Sequence, residues 1–130
     1  MVGITEGGMD GNIHVGEEDI VLMKFDSSGA WQWTQQRGTS SDDQVRGVAL
    51  DSQDNIFLAC YTYGGMDGNI NAGFSDIALM KFDSSGAWQW THQRGTPEPD
   101  FARALAVDSQ GYIFLAGESH GDMDGNINAG

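Results

Sequence analysis

Asp76-Ile77-Ala78-Leu79-Met80-Lys81-Phe82-Asp83-Ser84-Ser85-Gly86-Ala87-Trp88-Gln89-Trp90-Thr91-His92-Gln93-Arg94 reads as two strands joined by a tight turn. The first seven residues form an apolar run. Asp83-Ser84-Ser85-Gly86 is turn chemistry: Asp and Ser bond the local backbone, and Gly supplies a positive φ. From Ala87 to Arg94 aromatic and polar residues alternate, the period-2 mark of a strand. After Gly95-Thr96-Pro97-Glu98-Pro99-Asp100 a second hairpin is predicted. It runs from residues 102–107 through the turn Asp108-Ser109-Gln110-Gly111 into residues 113–117.

The same order of elements stands 57 residues earlier. Residues 9–65 and 66–122 align without a gap and are identical at 36 positions. Residues 1–8 read as the end of a preceding repeat and residues 123–130 as the start of a third, so residues 1–130 form one repeat array. No stretch holds a 3.6-residue period long enough for a helix of about 10 residues, which excludes helical and leucine-rich repeats. Four short strands per repeat, with tryptophan at one place in each, predict an all-β fold of four-stranded antiparallel β-propeller blades. A parallel β-helix is the rival, but its coils are shorter and lack hairpin turns. In blade order, strand A is expected at residues 45–50 and 102–107, with small residues that allow close approach to the axis. Strand B is expected at 56–61 and 113–117, strand C at 19–25 and 76–82, and outer strand D at 30–37 and 87–94.

Nineteen Asp and Glu against six Lys and Arg give a net charge of -13. That field repels phosphate backbones and attracts cations, so nucleic acid is not an expected partner. No run of 18 apolar residues is present, so no membrane span is predicted. Cys60 has Gly117 as its counterpart and stands alone, which leaves no intrachain disulfide and no paired-cysteine metal site.

Two stretches together resemble the bacterial SBBP-type β-propeller repeat. One is Lys81-Phe82-Asp83-Ser84-Ser85-Gly86 with Trp88-Gln89-Trp90-Thr91. The other is Ala104-Leu105-Ala106-Val107-Asp108-Ser109-Gln110-Gly111-Tyr112-Ile113-Phe114-Leu115-Ala116-Gly117. The resemblance covers essentially the whole chain. It implies a propeller fold, an extracytoplasmic or cell-surface setting in bacteria, and a binding or scaffold role without common catalytic residues.

The candidate site is the connector between strands B and C, Met66-Asp67-Gly68-Asn69-Ile70-Asn71-Ala72-Gly73. Asp67, Asn69 and Asn71 stand at positions 1, 3 and 5, as in a calcium loop, and Asp76 follows. The glycine falls at position 7 and Ala78 occupies position 12, so the site is not of EF-hand type. The alternative is that Asx turns satisfy the loop's own backbone. Calcium is therefore the one cofactor candidate, expected at Asp67, Asn69, Asn71 and Asp76. Trp31 and Trp88 are candidate stacking platforms for a glycan, against the alternative that the tryptophans pack on a neighbouring blade. Arg37, Arg94, Arg46 and Arg103 recur once per copy each and are expected to pair with loop carboxylates between blades. His14, His92 and His120 align with Asn71, Gln35 and Tyr63, so no histidine recurs and no nucleophile–base set is encoded. The expected function is a non-enzymatic structural or protein-interaction scaffold, with a lectin-like propeller as the alternative.

Two blade-equivalents do not close a propeller, which needs roughly 4 to 8. The blades are expected to be completed by a longer parent chain or by a homo-oligomeric ring, three chains giving six blades and four giving eight.

Overall fold

The computed structural model describes residues 1–130 and contains nine strands: β1 (Val2–Thr5), β2 (Asp19–Phe25), β3 (Trp31–Arg37), β4 (Asp43–Leu50), β5 (Ile56–Thr62), β6 (Asp76–Phe82), β7 (Trp88–Arg94), β8 (Asp100–Val107) and β9 (Ile113–Ser119). They form three meandering sheets, β1-β2-β3, β4-β5-β6-β7 and β8-β9, and every pairing is antiparallel. The middle sheet is one complete blade in the order A-B-C-D. The first sheet holds the end of a strand B with C and D, and the third holds A and B. No helix is long and apolar enough to cross a membrane.

Alternation along β6 sends Ala78, Met80 and Phe82 inward on one face, where they meet Ile56, Leu58 and Cys60 of β5. Ile20 and Leu22 of the first sheet and Met66 of the B–C connector complete this cluster, with Trp33, Val2 and Val45 packed at its margin. The opposite face of β5 looks toward the third sheet: the rings of Tyr61 and Phe101 meet edge to face at 5.0 Å. Gly47 of β4 lies against Leu105 of β8, so the two A strands approach each other where a small residue leaves room.

Strands A and B run further than the pattern predicts. Strand A starts at Asp43 and Asp100, two residues early, because the backbone N–H of each buried aspartate is held by a carbonyl of the B–C connector. Strand B extends to Thr62 and Ser119. A bulge at Arg46 and another at Arg103 interrupt the A–B ladders. Both arginines therefore turn to their own hairpins, Arg46 to the Tyr61 hydroxyl at 2.7 Å and Arg103 to Glu118. This corrects the expectation of inter-blade pairs for these two.

The C–D turns form as their chemistry dictates. Asp83 Oδ1 accepts hydrogen bonds from Ser85 N, Ser85 Oγ and Ala87 N, and Gly86 closes the turn at φ +88°. Asp26 and Gly29 repeat this arrangement. In the first A–B turn Asp54, at φ +62°, occupies the place that Gly111 holds in the second. Gly86 has a further role, since a Cβ there would lie 2.8 Å from the Trp33 ring of the preceding blade, whereas at Gly29 it would meet nothing.

A valine at either glycine strains the backbone by on the order of 1 kcal/mol. Gly86→Val is expected to lose more stability than Gly29→Val, because it also displaces Trp33. Urea melts of the two variants check this order; two variants as stable as the parent would contradict the turn assignment.

Candidate functional site

The B–C and D–A connectors lie together on one rim. Ser75 O accepts from Asp100 N at 2.8 Å and Glu18 O from Asp43 N at 2.9 Å, so each B–C connector is sewn to the D–A connector that follows it. Within the connector, Met66-Asp67-Gly68-Asn69 is a left-handed turn. Asp67 has φ +52° and Gly68 φ +84°, and Asn69 N donates to Met66 O at 2.9 Å. That is type I′ geometry, which Asp-Gly favours. Asp10 and Asp124 repeat it.

Each predicted calcium-loop residue has a partner in the protein. Asp67 accepts from the Thr91 hydroxyl of its own β7 and forms an ion pair with Arg37 of the preceding sheet. Asn69 Nδ2 donates to Met66 O at 2.7 Å and to Thr91 O at 3.1 Å. Asn71 Oδ1 accepts from Gly73 N at 2.8 Å, an Asx turn. Asp76 Oδ2 accepts from Ala72 N at 2.7 Å and from Gln93 Nε2 at 3.0 Å. The connector is thus lashed to β7, and through Asp67 to the neighbouring blade. No three or more His, Cys, Asp or Glu side chains are gathered where they could hold a metal ion.

Arg94 pairs with Asp124 as Arg37 does with Asp67, so these two arginines do join a loop carboxylate of the next repeat. The guanidinium of Arg37 also lies 4.3 Å over the Trp88 ring. Trp88 donates from Nε1 to Thr91 Oγ1 at 3.0 Å, and Trp31 to Thr34 Oγ1 at 2.9 Å. Trp31 has no such arginine over it and is 53% exposed, against 38% for Trp88.

Asp19, Asp43, Asp76 and Asp100 stand out in the structure and were not singled out as a set by the sequence reading: all four are fully buried. Their signal was present, because each keeps its identity between copies while its flanks diverge. Glu17-Glu18 becomes Phe74-Ser75, and Ser40-Ser41-Asp42 becomes Pro97-Glu98-Pro99. Burial pushes the Asp43 carboxyl up to about 6, against hydrogen bonds from Thr62 and Thr39 that pull it down; the Asp19 charge adds to the rise. Burial also pushes the Cys60 thiol far up, so it is inert. At the turns the shift has the opposite sign. Asp26 and Asp83 are held below the usual carboxylate range, chiefly by the hydroxyls of Ser28 and Ser85, and Asp51 by the Asn55 amide.

The repeat now has fold, register and turn chemistry in agreement, and the SBBP β-propeller repeat model matches residues 32–65 and 89–122. The chain belongs to this family. Both matched pieces run from strand D through A to the end of B, in the same register 57 residues apart. A curated relative, the regulatory protein FlaEY of Caulobacter vibrioides, is 28% identical over 120 residues. The match takes in 86% of this chain and 13% of that protein, so the chain spans about an eighth of its relative's length.

A double-mutant cycle on Arg37 and Asp67 is expected to give a coupling on the order of 1 kcal/mol, since Asp67 is nearly buried. The same cycle on Arg94 and Asp124, both more than half exposed, is expected near zero. Equal couplings would remove the role of burial.

The turn aspartates set a pH dependence. Their lowered folded-state pKa values contribute stability above the unfolded value near 3.8, and this is lost as pH falls through the folded values. Asp83→Asn is expected to flatten the loss of stability below about pH 4, read from urea melts across that range. An unchanged slope would contradict the cap.

Proposed function

We propose that the chain is a non-enzymatic scaffold module whose blades present the B–C and D–A rim to a protein partner. The observation that carries this reading is the use of the rim's polar side chains: Asp67, Asn69, Asn71 and Asp76 are spent on bracing connectors and joining blades. What remains outward is a surface of acidic side chains, such as Glu17 and Glu18, and backbone amides on a rigid support. The name of the FlaEY relative, a regulatory protein, supports an interaction role over a catalytic one.

The module completes its propeller by recruiting further blades. Strand β9 has a free outer edge, and Phe114, on the same sheet, is 61% exposed. In the middle blade that edge is covered by strand C. For the 130-residue chain the donor of the covering strand is β2 of a second copy, giving rings of three or four chains. Residues 2–5 repeat the position of residues 116–119, and β1 holds that place on β2 within one chain. Ring closure therefore has β9, with seven residues, displace the four-residue β1.

A glycan-binding role is the second reading, favoured by the open face of Trp31. Sugar-dependent quenching of tryptophan fluorescence, abolished in Trp31→Ala, would support it over the scaffold.

Light scattering on the purified chain tests the assembly. A mass near three or four times 14.0 kDa is expected; a stable folded species at 14.0 kDa would contradict closure by copies of this chain.

A further inference from the structure

We propose that each junction between successive blades holds one hard, oxygen-seeking cation of the calcium type, between Asp19 and Asp43 at the first junction and between Asp76 and Asp100 at the second. This goes beyond the scaffold reading and does not depend on it. The four carboxylates are wholly removed from solvent, and Oδ1 of Asp19, Asp76 and Asp100 is buried without any hydrogen-bond donor. The first pair converges on one point. Asp19 Oδ1 lies well inside contact distance of the place where a Cβ on Gly38 would stand, and Asp43 Oδ2 lies 3.0 Å from the same place. Gly95 stands in the same relation to Asp76 Oδ1. Glycine is required at both positions because the carboxylates occupy the space of a side chain.

No lysine or arginine compensates this charge. All six Lys and Arg are placed elsewhere: Arg37, Arg94 and Arg103 in ion pairs with Asp67, Asp124 and Glu118, Arg46 on Tyr61, Lys24 on Ser84 O, and Lys81 over Phe57. His14 Nδ1 stands 3.3 Å from Asp19 Oδ2 at the first junction, and Asn71 replaces it at the second. Two buried carboxylates with no lysine or arginine beside them are unfavourable, and the second junction lacks even the histidine.

Each of the four carboxylates is held in place by hydrogen bonds from the protein. Asp19 Oδ2 takes Val15 N at 2.9 Å and Gln36 Nε2 at 2.7 Å. Asp76 has the matching pair, and Thr39 N and Thr96 N donate to Asp43 and Asp100. Carboxylate oxygens buried without a donor suit a cation that takes oxygen ligands. The chain neighbours of the first pair, Glu18 and Asp42, line a cleft of about 310 Å³ together with Glu6, His14, Gly16 and Glu17, with no apolar residue. Its counterpart at the second junction carries Tyr63, Phe74 and Pro99 in place of Glu6, Glu17 and Asp42. The first site is therefore the tighter.

Calorimetric titration of the metal-stripped 130-residue chain with CaCl₂ tests the proposal, alongside melts in CaCl₂ and in EDTA. Two calcium ions per chain and a higher melting midpoint in calcium are expected. Asp43→Asn and Asp19→Asn should each remove the tighter site, and Asp100→Asn the weaker one, with the fold checked by circular dichroism. Asp67→Asn, which breaks the connector's pair with Arg37, should retain both. Absence of binding heat with identical melts in calcium and chelator would overturn it, and so would binding lost in Asp67→Asn but kept in Asp43→Asn, which places the ion in the connector.

Discussion

An A–B hairpin of this protein cannot cover its own faces, and the molecule contains the comparison that shows it. Ile56-Phe57-Leu58-Ala59 and Ile113-Phe114-Leu115-Ala116 are the same four residues in the same strand of successive blades. In β5, flanked by a sheet on each side, all are buried and Phe57 is 3% exposed. In β9, which has a neighbour on one side only, Phe114 is 61% exposed. Strand pairing with A is the same in both, so burial comes from what β9 lacks, strands C and D of its own blade, whose Lys81 and Trp90 lie against Phe57, and a following blade. That is the energetic logic of a repeat array, in which each unit is stabilised by its interfaces with the next. It also explains the economy of the cationic side chains. Arg37 and Arg94 are spent on the next repeat's connector, where each joins two units that hydrophobic contact alone would leave free to slide.

Most of this fold was legible because the signals are local. Asp-Ser-Ser-Gly and Asp-Ser-Gln-Gly place the hairpins, and Trp88-Gln89-Trp90 marks strand D by its alternation. The 57-residue period then makes every element appear twice. The misplacements have one physical origin, residues whose role is decided across the chain. Strand A begins at Asp43 and Asp100 because the B–C connector takes the backbone N–H of each, and no strand propensity announces a buried aspartate. Arg46 and Arg103 were read with the inter-blade arginines because their recurrence is the same; the bulge that turns them toward Tyr61 and Glu118 is a property of the A–B ladder.

The candidate site was legible by composition more than by arrangement. The 1-3-5 pattern of Asp67, Asn69 and Asn71 draws attention to the connector, where these residues form a left-handed turn and an Asx turn that fasten the loop. The buried carboxylates lie at the heads of strands A and C, 24 residues apart in each pair. Only the meeting of the two connectors on one rim brings them together. The polar chemistry of this repeat is therefore concentrated where blades meet, and the outer rim inherits a rigid form from it.

Hydrogen exchange followed at increasing chain concentration tests most directly whether a blade depends on its neighbours. The account predicts that amides of Ile56–Thr62 are strongly protected at every concentration, whereas those of Ile113–Ser119 gain protection as copies come together. Protection of both segments that is equal and independent of concentration would contradict it.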